Sequence, residues 1–220
     1  MENIITKIKN GFTLAEVLIT LVIIGVVAAM TIPTLVNNTK KQEYVAGLKK
    51  ANSVLSQAVY KIGQNKGYPV GDYSFLNENN FIDEFAKVVS ITKKCDTFTE
   101  CFGKNPLGSE NVYQTLDNSP ADNSDGKSVI TSDGQMFSFA KSLRVYGISQ
   151  DDADNVIGRI LVDINGNKNP NKYGYDLFFF YLIEHKGIVP AGSDSSSECN
   201  TTHQGVTCAA KVLRENAINY

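Results

Sequence analysis

The sequence predicts an α+β protein in which one long N-terminal helix, its first half transmembrane, packs through its second half on an antiparallel sheet of about four strands. Two observations predict it. The apolar run VLITLVIIGVVAAMTIPTLV is followed directly by a helical apolar stripe, so one helix of about 50 residues covers both. Beyond about residue 65 the pattern changes to short β-prone runs separated by turn residues, of which RILVDI and LFFFYLI are the strongest.

The helix divides by composition. From Val17 to Thr39 no residue is charged, and about 20 apolar residues suffice to cross about 30 Å of hydrocarbon. After Thr39, Val45, Leu48, Asn52, Leu55, Ala58, Val59 and Ile62 fall largely on one face, with Lys40, Lys41, Lys49 and Lys50 elsewhere. Lys40 and Lys41 mark the membrane boundary, and Gly63, Gly67 and Pro69 end the helix. Hydropathy alone leaves a cleaved secretory signal, a plain signal anchor and a buried core helix open. Lys7 and Lys9 favour retention of the N-terminus in the cytoplasm, and Val27-Ala28-Ala29 has the small residues of an ordinary signal-peptidase site. Glu16 argues for something more specific. A carboxylate at the start of an apolar run costs up to roughly 2 to 3 kcal/mol on insertion scales and marks a function with a particular partner.

Gly11-Phe12-Thr13-Leu14-Ala15-Glu16, preceded by a short Lys-containing leader and followed by the apolar run, resembles the type IV prepilin signature. Pilins, minor pilins and the pseudopilins of type II secretion share that signature. The resemblance implies cleavage between Gly11 and Phe12 by prepilin peptidase, a membrane-embedded aspartyl enzyme, and N-methylation of Phe12. It also implies assembly with homologous pilin-like subunits on an assembly platform at the inner membrane, with Glu16 and Pro33 taking part. Residues 1–11 would be a cleaved leader, 12–39 the transmembrane or filament-core half of the helix, 40–64 its amphipathic half, and 65–220 an extracytoplasmic head. After assembly the filament would lie in the periplasm or at the cell surface.

The residues supply a physical reason for such processing. Cleavage leaves the Phe12 amine as the one positive charge near the apolar end, and Glu16 of a neighbouring subunit can neutralise it. A buried ion pair is favourable only with good geometry and an unpaired buried charge is heavily penalised, so this pairing would set the axial register of packed helices. A missing side chain at Gly11 permits close approach of an enzyme to the backbone. Pro33 removes one helical hydrogen bond and is expected to kink or locally open the helix; pilin-like helices commonly carry a proline there, and membrane helices in general tolerate one.

In the head, Phe81–Ile91 reads as a short amphipathic helix with Phe81, Phe85, Val88 and Val89 inward. The four strand candidates are Ser128–Ser132, Gln135–Phe139, Arg159–Ile164 and Leu177–Ile183, the last of these buried on both faces. Asp133-Gly134 between the first two suits a tight hairpin, since both residues tolerate positive φ. Ser193–Ser197 reads as a surface loop and Ala209–Tyr220 as a final helix.

Four cysteines form two near pairs, Cys95 with Cys101 and Cys199 with Cys208, and disulfides joining each near pair fit the spacing best among three connectivities. Zinc is the competing reading, weakened by the lack of CxxC units and by His203 as the one nearby imidazole. The loop from Asp163 to Asn171, followed by Asp176, concentrates oxygen-bearing side chains. Asp163, Asn165, Asn167 and Asp176 could hold calcium, as a loop of some pseudopilin heads does; against this, Lys168 stands where an EF-hand needs glycine, and Asn, Asp, Gly and Pro are the ordinary residues of turns. No other cofactor is expected.

Composition excludes some functions. The chain has 220 residues, 42% hydrophobic and 20% charged, an ordinary globular balance. Residues 1–64 carry 7 Lys/Arg against 3 acids, whereas residues 65–220 carry 14 against 20. An acidic head lacks the concentrated basic face that phosphate neutralisation requires, so no nucleic-acid partner is expected. With His185 and His203 the only histidines and no GxSxG or phosphate-cradling glycine motif, no catalytic constellation emerges and an enzyme is not expected. The leading expectation is a structural subunit of a type IV pilus-like or type II secretion pseudopilus filament. The alternative is a signal-anchored or secreted extracytoplasmic binding module.

Overall fold

The computed structural model describes residues 11–103, 113–119, 121, 126–141, 144–194 and 199–220. Residues 1–10 of the expected leader and residues 195–197 of the expected Ser193–Ser197 loop lie outside the described residues. Contacts divide the chain into two compact units, Met1–Lys40 and Lys41–Tyr220.

The long helix α1 spans Leu14–Lys66 and continues through Pro33. In the first unit its apolar side chains, among them Leu18, Ile23, Val27, Met30 and Leu35, are exposed. In the second, Val45, Leu48, Ala51, Leu55, Ala58, Val59 and Ile62 are buried, with Ala51 taking the inward position expected for its half-buried neighbour Asn52. The helix stops at Gly67, whose φ of 77° lies in the left-handed region. There the Tyr68 N–H donates to Gly63 O at 3.0 Å and the Gly67 N–H to Gln64 O at 3.1 Å, the paired bonds of a Schellman cap.

The second unit is an α+β arrangement whose sheet has six strands in sequential antiparallel order, not four. The strands are β1 Ile91–Cys95, β2 Lys127–Thr131, β3 Met136–Ala140, β4 Val156–Asp163, β5 Leu177–Ile183 and β6 Gly187–Pro190. The two beyond expectation, β1 and β6, are the edges of the sheet. Edge strands face solvent and carry charge or proline to block further pairing, which removes the apolar alternation that reveals a strand. Lys93 and Lys94 do this in β1 and Pro190 in β6. The helix expected over Phe81–Ile91 is accordingly shorter. It is α2, Phe81–Val88, and Ile91 already belongs to β1.

The β2–β3 turn also differs in detail from a two-residue hairpin in which both Asp133 and Gly134 take positive φ. Only Gly134 has positive φ, at 86°. Its N–H donates to Thr131 O at 3.0 Å and the Thr131 N–H to Gln135 O at 2.9 Å, giving a three-residue loop closed by a left-handed glycine.

Alternation along β5 separates two cores. Phe178, Phe180 and Leu182 join Phe137, Phe139, Ile160 and Val162 on the face covered by α1, α2 and α5 (Cys208–Glu215). Leu177, Phe179, Tyr181 and Ile183 face the other way, against Phe98 and Phe102 of the short helix α3, Phe98–Phe102. Both faces of β5 are therefore buried, as its uninterrupted apolar run predicts. A further short helix, α4 at Gln150–Asp154, is capped by Ser149, whose hydroxyl accepts from the Asp152 N–H.

Disulfides join Cys95 to Cys101 and Cys199 to Cys208. All four cysteines are buried, so each bridge fastens a loop to a core. Closing loops of this length restricts the unfolded chain by about 2 to 3 kcal/mol each. Replacing Cys199 and Cys208 together by Ala is expected to lower the thermal midpoint by roughly 5 to 10 °C, read by circular dichroism on the full chain in detergent.

Candidate functional site

The N-terminal residues form a defined local structure. Thr13 precedes α1 and Glu16 is the third residue of its first turn. The Thr13 N–H donates to Glu16 Oε2 at 2.9 Å, the Thr13 hydroxyl to the same oxygen at 2.8 Å, and the Glu16 N–H to Thr13 Oγ1 at 3.3 Å. This reciprocal arrangement is a capping box, and its signal, Thr-x-x-Glu before an apolar run, is legible in the sequence. Thr13 is thus a residue that attention to Glu16 alone overlooks. Both Thr13 bonds use Oε2, leaving Oε1 available as an acceptor.

Phe12 is 90% exposed, and an added Cβ at Gly11 meets nothing within 4 Å. The fold places no demand for glycine at position 11. Pro33 sits inside α1 without an N–H, so the Ala29 carbonyl loses its usual donor, and Thr31 Oγ1 donates to Val27 O at 2.9 Å one turn earlier. Among the described residues α1 is long and apolar enough to cross a membrane, and none of its apolar window is buried. That exposure removes the reading as a core helix.

The capped start of α1 and the exposed apolar stretch that follows it run on in sequence into the α+β unit. Residues 6–32 match the family model described as the prokaryotic N-terminal methylation motif, the type IV prepilin-like cleavage and methylation segment. No curated protein and no solved structure matches the chain.

The second unit holds the other set of candidate residues, in the connection between β4 and β5. Asp163 ends β4 and is fully buried; its Oδ1 accepts the Asn165 N–H at 3.1 Å, while Oδ2 is buried without a hydrogen-bond partner. Asp176, also fully buried, accepts the Lys172 N–H on Oδ1 at 2.6 Å, and on Oδ2 the Asn171 N–H at 2.8 Å and Asn165 Nδ2 at 3.2 Å. The Ile164 N–H donates to Asp176 O at 3.0 Å and closes the base of the loop. The structure therefore brings together Asp163, Asn165 and Asp176. Asn167 is instead exposed, with its Oδ1 3.5 Å from the Tyr113 hydroxyl, whose hydrogen goes to Phe102 O at 2.6 Å.

Asn171 takes a place that sequence reading did not assign to it. It is 4% exposed, its φ is 50°, and its Oδ1 is buried without a partner. Only the path of the loop after Pro170 brings it back to Asp176, and no spacing rule signals that. Burial, together with the charge of Asp176, holds the Asp163 carboxyl well above the usual range. Burial pushes Asp176 up to about 6 even though three N–H groups donate to it. No group of three or more His, Cys, Asp or Glu that could hold a metal occurs among the described residues, so this cluster offers two carboxylates and amide oxygens.

Proposed function

We propose that the chain is the precursor of a structural filament subunit, of the type IV pilus or type II secretion pseudopilus kind. Prepilin peptidase cuts it between Gly11 and Phe12, the Phe12 amine is methylated, and the inner membrane holds the subunit before assembly on a platform with homologous subunits. The head is extracytoplasmic throughout. The observation that carries this reading is the coincidence of the matched methylation segment, residues 6–32, with the exposed apolar stretch of α1. Lipid covers such a surface before assembly and neighbouring helices cover it afterwards.

The capping box sharpens the role of Glu16. With Oε2 engaged by Thr13, Oε1 remains for the Phe12 amine of a neighbour, so one carboxylate starts its own helix and sets the register of the next. The two roles separate experimentally, because Gln also completes a capping box but carries no charge. Glu16→Gln and Glu16→Ala are both expected to insert in the membrane yet enter filaments at least about tenfold less well, since an unpaired charge in an apolar core costs more than one tenfold step of about 1.4 kcal/mol. Filament fractions sheared from cells and quantified against the membrane pool provide the measurement. Normal incorporation of Glu16→Gln would reduce Glu16 to a helix cap.

A further inference from the structure

We propose that a cavity in the second unit, between the Cys199–Cys208 loop, the 113–119 segment and Tyr146, binds an organic ammonium ion, a primary amine carried on a short methylene chain. The cavity has a volume of about 370 Å³, within the range of about 300 to 1,000 Å³ that small-molecule sites occupy. Asp117, Tyr146, His203, Gln204 and Val206 line it. Hydrogen bonds tie its walls together. The Leu116 N–H donates to Gln204 O at 2.8 Å, Gln204 Nε2 donates to Ser119 Oγ at 3.3 Å, and the Tyr146 N–H donates to the Tyr181 hydroxyl at 2.9 Å. At Gly205 an added Cβ would lie 2.9 Å from Leu116 Cβ and 3.0 Å from Tyr173 O, so the disulfide-bounded loop sits directly against the 113–119 segment.

The polar groups of this cavity are mainly acceptors. The Ser119 N–H donates to Asp117 Oδ1 at 2.9 Å and the Thr115 hydroxyl lies 2.8 Å from the same oxygen, so both contacts fall on one side of the carboxylate. Hydrogen bonding from Ser119 and Thr115 outweighs partial burial and holds the Asp117 carboxyl below the usual range, which keeps it charged at neutral pH. Among the described residues no Lys or Arg pairs with it; Lys172 donates instead to Asn118 Oδ1 at 3.1 Å. His203 Nδ1 is 2.9 Å from Asn200 Oδ1, an oxygen that also accepts the Thr202 N–H at 2.9 Å. An amide oxygen only accepts, so Nδ1 carries the imidazole hydrogen and Nε2 of the neutral ring is an acceptor. The amide nitrogen of Gln204 is engaged with Ser119, which leaves the amide oxygen as the other polar end of that side chain.

An ammonium group matches this set, because it brings N–H donors in three directions and the charge that Asp117 lacks in a partner. Asp117 is half-buried, where a charge pair is stronger than on an open surface. Tyr146 contributes an aromatic ring, a surface that attracts cations, and Val206 an apolar surface for the methylene chain. An anion would meet the Asp117 charge. A bare metal ion is poorly served by one carboxylate and one imidazole, and among the described residues no group of three or more His, Cys, Asp or Glu that could hold one occurs.

The test uses the full chain in detergent micelles at low salt, titrated in a calorimeter with 1,5-diaminopentane, with Nα-acetyl-lysine methylamide, and with the same lysine derivative acetylated on Nε. Both amines are expected to bind once per chain with a dissociation constant of about 1 mM or tighter, and the neutral derivative at least about tenfold more weakly. Tighter binding of the lysine derivative would assign the site to the side chain of a partner peptide, and tighter binding of the diamine to a free polyamine. Asp117→Asn keeps an acceptor for the Ser119 N–H and is expected to weaken both amines at least about tenfold. Tyr146→Leu keeps the backbone donor to Tyr181 and is expected to weaken them about threefold, whereas Glu78→Gln, at an exposed carboxylate elsewhere, stays within about twofold of the parent. Absence of heat for both amines at about 10 mM would overturn the site, as would equal binding of the Nε-acetylated derivative or parental binding by Asp117→Asn. The site does not depend on the filament reading, and no outcome bears on cleavage at Gly11.

Discussion

A Gly11→Leu chain is expected to accumulate at full precursor length, with cleavage slowed at least about 100-fold. The expectation separates demands of the fold from demands of the enzyme. Nothing within 4 Å of Gly11 would meet an added Cβ and Phe12 is 90% exposed, so the substitution leaves α1, its Thr13–Glu16 cap and the head as they are. With the cut proposed after Gly11, what it is expected to change is the approach of a peptidase to the backbone, where misplacement by about 1 Å can cost about 100-fold in rate. On the proposed pairing, Phe12 then never presents a free amine to Glu16 of a neighbour, and filament entry is expected to be lost with processing. Immunoblots of cells containing prepilin peptidase distinguish precursor from mature chain. Unimpaired processing of Gly11→Leu would place the cut elsewhere.

The largest effect expected within the head comes from Gly192→Ala. Gly192 follows β6 with a φ of 89°, and an added Cβ would lie 1.9 Å from Thr207 O and 2.8 Å from its carbonyl carbon, both backbone atoms that cannot swing aside. Thr207 immediately precedes α5 and the bridged Cys208, and the Ala210 N–H donates to Ala191 O at 3.0 Å, so the contact joins the sheet edge to the C-terminal helix. Gly147 approaches from another side, its own Cβ position 2.8 Å from Gly192 Cα. Relief requires α5 to move away from the core that Ala209 and Val212 help to fill. A loss of at least about 3 kcal/mol is expected, seen as a fall in the thermal midpoint of roughly 6 to 12 °C. Gly67→Ala provides the control. It has a comparable φ of 77° but open space around its Cβ position, so only backbone strain of about 1 to 2 kcal/mol applies. Equal destabilisation of the two variants would show that conformation, not the Thr207 contact, governs Gly192.

Elements that bury a periodic apolar face were legible in the sequence. The stripe from Val45 to Ile62, the runs of β4 and β5 and the near-pair disulfides all follow from local pattern or spacing. The edge strands were not, because ITKKC alternates with nothing and GIVP is short and ends in proline; each owes its extended form to the neighbour it pairs with. The same distinction holds at the candidate sites. Glu16 stands out as a charge where charge is expensive, and its cap with Thr13 follows from a three-residue spacing. Asp163, Asn165 and Asp176 are suggested by oxygen-rich composition. Asn171, in contrast, lies in the cluster with a φ of 50° while Asn167 is exposed, and that is a property of the folded loop.

The central claim is that this chain is processed as a pilin-like subunit precursor, and intact mass with N-terminal sequencing of the mature protein from its native membrane tests it most directly. The account predicts a chain beginning at Phe12 with one methyl group on its amine. A mature chain beginning at Met30, as ordinary signal cleavage after Ala29 would give, or one retaining Met1, would contradict it.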